Sequence, residues 1–581
     1  MVILSIHPGH NSTVGLLDGG RIVGLLSQEK VDNVKNSAAF PSAALSSLLQ
    51  ECGMRPDDID AIAIAGTDVF PSYCYDYLYD PRNVIQETSI LRKAAKHMEK
   101  GLLGSVMPGI FRMARDIRRS DLIAEGRSEL ARHLSDISLS SKPVIHIDHH
   151  QCHAYSAYYG LAHDDEPALV FTADGSGDQA CATVWMARDG KLERVAVTPP
   201  RASLGGIYSN TTRFLGMKIL EHEYKVMGLA AYSKGYHKDV YERIFAPVID
   251  LDPANPLVFH STVDASEFYD YLVKNAVGER FDNVAGAVQW LLEERITAWI
   301  RASIKKTGIR NIFTGGGVFM NVKLNKRIQE MEEVHRVHFL PSCGDESNPI
   351  GAAYALAIRT GLKVSPLDNL YLGISFSREN IAQFIKDNHL DQHYKISEPP
   401  DIEIAIAELL ARKEVVARFS GRCEWGARSL GNRAILAHPS HMESFYTVND
   451  LIKSRDFWMP FAPTVLDTHA HRYLENYNPM KAQAPYMITA FKATPMGVEH
   501  LRAAMHQGDQ TIRPQVLTSQ ANPDYYRLLK TFHGITGVGA VMNTSFNLHG
   551  YPLVATLQQA SDTFERSGLK NLALGSFLIQ K

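Results

Sequence analysis

The 581-residue chain has only six cysteines, Cys52, Cys74, Cys152, Cys181, Cys343 and Cys423, and no two are spaced C-x-x-C. That scatter excludes a disulfide framework and a cysteine zinc site, and it suits a reducing, cytoplasmic compartment. No stretch of about 18 apolar residues occurs, so no membrane span is expected. The start, "MVILSIHPGHNSTVGLL", has neither a basic leader nor a long apolar core, so it does not read as a signal peptide. Charge of one sign is missing too: 60 Lys and Arg stand against 63 Asp and Glu, a net of −3. No global attraction to nucleic acid or to an anionic membrane follows. One stretch, residues 92–119, is locally basic and reads as a solvated helix face. The length implies three or four core-sized units.

The N-terminal residues read as strand, loop, strand, Asp-Gly-Gly turn, strand. A helix over "AAFPSAALSSLLQECG" and a buried strand "IDAIAIAG" follow. Residues of about 75 to 138 look like a polar helical insertion. "SKPVIHID" is a strand, "HHQCHAYSAYYG" a helix, and "ALVFTADGSGDQACATVWMARDGK" again strand, turn, strand. A strand-turn-strand unit followed by helices therefore occurs twice. Such duplicated halves face each other across a cleft in ATPases of the actin and sugar-kinase type. "IRNIFTGGGVFMNVKLNKRIQE" reads as strand, glycine loop, helix. A boundary is expected at 360–370, with a second linker-like patch at "SEPPD", 397–401.

In "IDHHQCHAYSAYY", His149 and His153 are spaced i, i+4, which a helix places on one face. Asp148 is in position to cap that helix. The spacing alone fits surface histidines equally well. Two acidic glycine turns after apolar strands shift the balance: "TADGSGD", with Asp174 and Asp178, and "CGDES", with Asp345 and Glu346. Strand ends facing a cleft are where α/β proteins hold ligands. Two imidazoles with two carboxylates suit Fe(II), Mn(II) or Zn(II). Either Asp174 or Asp178 fits as the ligand. In "FTGGGVFMN", glycines Gly315, Gly316 and Gly317 let backbone N–H groups approach a phosphate, or let two chain segments pack closely.

The C-terminal third carries Arg418, Arg422, Arg428, Arg433, Lys453, Arg455 and Arg513 among glycines and apolar residues. Convergent arginines hold phosphate through bidentate bonds. The alternative for any one of them is a salt bridge to a local acid. The metal and glycine-loop residues all precede residue 350 and the cations all follow 410. Two sites in two domains are therefore expected.

"HHQCH", "SLGGIYSNTTRFLG" with "EYKVMGLAAY", "EWGARSLGNRAIL" and "MNTSFNLHGYPLV" together resemble the O-carbamoyltransferases of antibiotic and nodulation-factor biosynthesis. With "GHNSTVGL" the resemblance covers nearly the whole chain. It implies an α/β and α+β architecture. Residues 1–362 would form a duplicated actin-like ATPase domain with the helical insertion, and 363–581 a YrdC-like domain. It implies that carbamoyl phosphate and Mg·ATP yield carbamoyl-adenylate in the C-terminal site. The carbamoyl group then passes to a hydroxylated small-molecule acceptor in the N-terminal site. No nucleic acid and no membrane take part, and the resemblance leaves room for a homodimer. The metal, with Fe(II) favoured over Mn(II) or Zn(II), would sit on His149, His153, Asp174 and Asp345. His10 would serve as acid–base group. Gly315, Gly316, Gly317, Asn321 and Lys225 would hold nucleotide. Arg418, Arg428, Arg433, Lys453, Arg455, Thr511, Arg513, Asn543 and Ser545 would form the carbamoyl phosphate and ATP site. Two departures stand out: Gln510 replaces a usual glycine in "DQTIR", and Ala434 a usual serine after "GNR". A small-molecule kinase on the same fold would explain the glycine loop but not the arginines. A tRNA threonylcarbamoyl transferase would want a basic surface. A catalytically dead binding protein would not need the histidine–aspartate set.

Overall fold

The computed structural model describes residues 1–78, 107–161, 164 and 166–581. Part of the expected insertion at 75–138, and part of the basic stretch 92–119, lie outside those residues. Within the described part, Met107–Asp136 is one helix. No helix among the described residues is long and apolar enough to cross a membrane.

The architecture is mixed α/β. The first sheet holds β1 (Val2–His7), β2 (Thr13–Asp18), β3 (Arg21–Ser27), β4 (Ala61–Ala65) and β5 (Val144–Ile147), in the order β3-β2-β1-β4-β5. β1 pairs antiparallel with β2 and parallel with β4. β1 and β4 are buried on both faces, which is why "VILSI" and "AIAIA" are nearly continuous apolar runs. The next strands are β6 (Ala168–Gly177), β7 (Ala180–Arg188), β8 (Lys191–Thr198), a small ribbon of β9 (Ile249–Leu251) and β10 (Phe259–Ser261), then β11 (Asn311–Gly315) and β12 (Arg336–Phe339). The second sheet runs β12-β11-β6-β7-β8. β6 pairs antiparallel with β7 and parallel with β11. The strand-turn-strand repeat in the sequence is thus a true duplication, with one strand order used twice.

Two helices join the halves. His149–Tyr159 follows β5 but packs on β6 and β11, and Asn348–Arg359 follows β12 but packs on β1 and β4. They also pack on each other. At Gly351 a Cβ would lie 1.8 Å from the Cys152 carbonyl oxygen, so only glycine allows the two backbones so close. Both helices begin in the cleft between the sheets, which places His149, His153 and Asp345 there.

The rest of the chain builds an eight-stranded sheet. Its strands are β13 (Lys395–Ser397), β14 (Val416–Phe419), β15 (Arg433–Ala437), β16 (Ala462–Leu466), β19 (Gln515–Leu517), β20 (Ala540–Ser545), β21 (Asn571–Leu574) and β22 (Phe577–Gln580). The intervening pair β17 (Phe491–Lys492) and β18 (Thr511–Ile512) forms a separate ribbon. The linker-like patch "SEPPD" is not a linker. It connects β13, paired with β22, to helix Ile402–Ala411, whose N-terminus Asp401 caps through the backbone N–H groups of Glu403 and Ile404.

Candidate metal centre and cation-lined cavity

Asp148 does cap the helix His149–Tyr159, accepting a hydrogen bond from the Gln151 backbone N–H. His149 and His153 then lie one turn apart, and their Nε2 atoms approach to 3.1 Å. Asp174 stands near the end of β6, with Oδ2 3.0 Å from His153 Nε2 and 3.7 Å from His149 Nε2. Asp345 Oδ1 lies 3.3 Å and 3.5 Å from the same two nitrogens. One ligand atom from each of the four residues fits within a 4.8 Å span. His149, His153 and Asp345 are buried. Burial pushes both carboxyl groups up, but the imidazoles outweigh it and hold Asp174 and Asp345 well below the usual carboxylate range. Burial likewise favours neutral His153, yet the hydrogen bonds and charge of the same carboxylates raise it to about 9. A buried and a half-buried carboxylate facing two imidazoles need positive charge between them, and protons or a divalent cation can supply it. The nitrogen and oxygen donor set fits Fe(II), Mn(II) and Zn(II) alike.

Asp178 is not part of the group. Its Oδ2 accepts from the Thr67 and His149 backbone N–H groups and its Oδ1 from that of Asp68. It anchors the loop and the helix start, so Asp174 is the aspartate that meets the histidines. His10 Nε2 lies 3.2 Å from Asp345 Oδ2, so one carboxylate faces the donor group with one oxygen and His10 with the other. Sequence reasoning missed His7, three residues from His10. It is buried, its Nε2 donates to the His10 carbonyl oxygen at 3.2 Å, and burial pushes it down to about 4.

The glycine loop is explained first by packing. Gly316 has φ +92°, and a Cβ there would lie 2.3 Å from the Ala173 carbonyl oxygen. Gly315 meets the His153 carbonyl oxygen in the same way at 2.8 Å. The loop is therefore pressed onto the segments that carry Asp174 and His153. Gly317 and Asn321 do line the adjoining cavity. Asn321 also caps helix Val322–Glu330, accepting from the Leu324 backbone N–H.

That cavity has a volume of about 470 Å³. On one side it reaches His10, Asp174 and Asp345; on the other it is lined by Arg428, Lys453, Arg455 and Arg513. Members of the two sets expected to form separate sites thus border one chamber. None of the four cations has a carboxylate ion-pair partner among the described residues. Lys453 Nζ donates to the Ser545 and Asn547 carbonyl oxygens, at 2.6 and 3.1 Å, and to Asn547 Oδ1 at 2.6 Å. Arg455 donates to Thr544 Oγ1 and lies over the Phe461 ring. Burial, then the neighbouring Arg428 and Arg455, press Arg513 well below its usual range. Cations crowded together with no carboxylate in ion-pair reach favour a polyanion. The Arg428 loop is itself held from behind: buried Glu424, which the motif did not single out, accepts through Oε1 from the backbone N–H groups of Leu430, Asn432 and Arg433.

Three of the expected C-terminal site residues do not line the cavity. Arg418 is buried and forked onto Glu403, Nη2 to Oε1 at 2.6 Å and Nε to Oε2 at 3.1 Å. Arg433, fully buried, donates to the carbonyl oxygens of Ser420, Asn432, Ile374 and Gly421 and lies 3.6 Å over the Phe419 ring. Asn543 donates to Ser429 O and Thr464 Oγ1 within the sheet. Arg422, also read as a phosphate cation, donates to the carbonyl oxygens of Gly373, Leu372 and Val23. Lys225 does not line the cavity either; its Nζ is 3.2 Å from Asp456 Oδ2. Thr511 and Ser545 do line it.

Two predictions arise here. His153→Gln removes one of four donors without emptying the buried site. It is expected to weaken divalent-metal binding by at least about ten- to a hundredfold, the loss seen even for outer-shell partners. Metal titration of the purified variant checks this, and wild-type affinity would remove His153 from the ligand set. Gln510 occupies the left-handed region at φ +57°, where a glycine has no side-chain penalty. Gln510→Gly is expected to stabilise the protein by up to about 1 kcal/mol, read by denaturant unfolding.

Comparison with known proteins gives two family matches, described as carbamoyltransferase N-terminus over residues 2–354 and carbamoyltransferase C-terminus over 407–581. An uncharacterized protein of Methanocaldococcus jannaschii is 28% identical, over 97% of this chain and 93% of its own. Nodulation protein NolNO of Sinorhizobium fredii is 26% identical, over 98% of this chain and 79% of its own. Nodulation protein NolO of Bradyrhizobium diazoefficiens is 29% identical, over 75% and 79%.

Proposed function

The chain belongs to the carbamoyltransferase family and is a transferase, and from that premise we propose that it is an ATP-dependent O-carbamoyltransferase acting on a small natural product. Carbamoyl phosphate and ATP give carbamoyl-adenylate, and an acceptor hydroxyl receives the carbamoyl group. We read residues 1–362 as the actin-like ATPase domain and 363–581 as the YrdC-like domain. The repeated strand order supports the first assignment. The observation that carries the function is one cavity lined both by His10 and the donor-group carboxylates Asp174 and Asp345 and by four cations without ion-pair partners.

Atoms balance in two steps. Water releases phosphate from carbamoyl phosphate to leave carbamate, whose oxygen bonds to the α-phosphorus of ATP as pyrophosphate leaves. The acceptor oxygen then bonds to the carbamoyl carbon, AMP leaves, and the hydroxyl proton is lost. Arg428, Lys453, Arg455 and Arg513 bind the phosphates and stabilise charge on the departing pyrophosphate. His149, His153, Asp174 and Asp345 would hold a divalent ion, Fe(II), Mn(II) or Zn(II), which supplies a Lewis acid for a phosphate or carbonyl oxygen. Asp345 Oδ2 orients His10, and His10 takes the acceptor proton. An anhydride intermediate is destroyed by water, and one chamber spares it release to solvent.

The test is a product screen with Mg·ATP, carbamoyl phosphate and a panel of hydroxylated metabolites. AMP, pyrophosphate and phosphate are expected in equal amounts with the carbamoylated acceptor. ADP in their place would make the protein a kinase and end this reading. Arg513→Ala is expected to slow pyrophosphate release about ten- to a hundredfold, the worth of one charge-assisted contact. Its stability should hold or rise, because the change relieves repulsion with Arg428 and Arg455.

A further inference from the structure

Lys30 is a buried lysine that no sequence motif singled out. It belongs to the N-terminal half, in the short helix Glu29–Asp32 after β3, and is only 3% exposed. Its Nζ donates to the Gly426 carbonyl oxygen at 3.2 Å. Gly426 lies in the C-terminal segment "EWGARS", two residues before Arg428. Among the described residues the ammonium has no other hydrogen-bond acceptor and no ion-pair partner. An ammonium has three N–H donors, so two are left without protein acceptors. A buried cation in that state is costly unless something else completes it. Lys30 lines the same cavity as Arg428, Lys453, Arg455 and Arg513. Its neighbour along the chain, Lys35, also lines the cavity, but it is drawn to Glu221 at 3.3 Å. Lys30 is therefore the N-terminal lysine whose charge is not answered.

We propose that Lys30 is a phosphate-binding residue, a fifth cation that the N-terminal half contributes to the polyanion site. The site is then composite. Its floor comes from residues 428–513 and one contact crosses from the other half of the chain, fixed in place by the Gly426 carbonyl. The ligand chemistry is a phosphate group, borne either by carbamoyl phosphate or by the triphosphate of ATP. The assignment rests on the proposed function only for the names of those two bearers.

The experiment is calorimetric titration of the full-length protein with inorganic phosphate and, separately, with pyrophosphate. Wild type is compared with Lys30→Met, Lys30→Gln and Lys30→Arg. The neutral variants are expected to bind one or both anions about ten- to a hundredfold more weakly, and Lys30→Arg to keep most of the affinity. Loss for phosphate alone assigns Lys30 to the carbamoyl phosphate end; loss for pyrophosphate assigns it to the triphosphate end. Unchanged binding of both anions in a folded neutral variant overturns the proposal. So does failure of both neutral variants to fold while Lys30→Arg folds, because the lysine would then serve only the contact with Gly426. The readout is binding and not turnover. A protein that binds phosphate through Lys30 but makes no carbamoyl-adenylate would leave this inference standing and remove the proposed function.

Discussion

Arg418→Ala destabilises the protein by about 3–5 kcal/mol, the cost of leaving a buried charge without its partner. Glu403 is 2% exposed and Arg418 1%. The guanidinium forks onto both Glu403 oxygens, and its Nη1 also donates to the Gly431 carbonyl oxygen at 2.7 Å and to Asn432 Oδ1 at 3.1 Å. Tyr525 lies across it, 5.4 Å from ring centroid to guanidinium carbon. Truncation removes all of these at once and strands a carboxylate between helix Ile402–Ala411 and β14. Denaturant unfolding of the C-terminal half reads the loss. The double variant Arg418→Met with Glu403→Leu should recover much of it, because no charge is then left unpaired. A loss below about 1 kcal/mol would mean that water reaches the pair and that it behaves as a surface salt bridge. Read from the sequence alone, the same residue fits either a phosphate cation or a salt bridge to a local acid. The structure shows the salt bridge, so the expected result is a stability phenotype with unchanged phosphate affinity of the folded fraction.

His10→Ala is expected to slow carbamoyl transfer by about 10²- to 10⁴-fold, the usual worth of a general base. His10 is a quarter exposed and faces Asp345 Oδ2 at 3.2 Å. A carboxylate in that position holds the orientation of the ring. Transfer from chemically supplied carbamoyl-adenylate, measured in a single turnover, isolates this step. Pyrophosphate release from ATP and carbamoyl phosphate should continue, because His10 is not among the cations that face the phosphates. Metal content should also hold, because Asp345 meets His149 and His153 through its other oxygen. Joint loss of pyrophosphate release and transfer would take His10 out of the base role.

What the sequence by itself determined is local. The i, i+4 spacing of His149 and His153 and the Asp148 cap needed nothing beyond one helix. The duplicated strand-turn-strand pattern was visible because hydrophobic period and glycine turns repeat along the chain. The family resemblance was legible because its motifs are short and stand in order. What only the tertiary structure decided is which side chains already have partners. Asp174 and Asp178 share one turn and one chemistry, and three backbone N–H groups, two of them from a loop 110 residues away or more, claim Asp178. Arg418 and Arg433 look like Arg428 and Arg513 in sequence. The first two point into a sheet where carbonyls and Glu403 take up most of their donors, while the other two line a cavity with no carboxylate in ion-pair reach. Lys30 carried no motif, and its meaning appears only where the N-terminal and C-terminal halves of the chain meet at Gly426. Along the sequence the nearest members of the donor group and the cations, Asp345 and Arg418, stand 73 residues apart, which reads as two sites. Packing brings Asp174 and Asp345 of the one set and Arg428, Lys453, Arg455 and Arg513 of the other to one chamber. The reason is general: a spacing rule sees neighbours along the chain, whereas the energy of a buried charge is set by whatever the fold brings beside it.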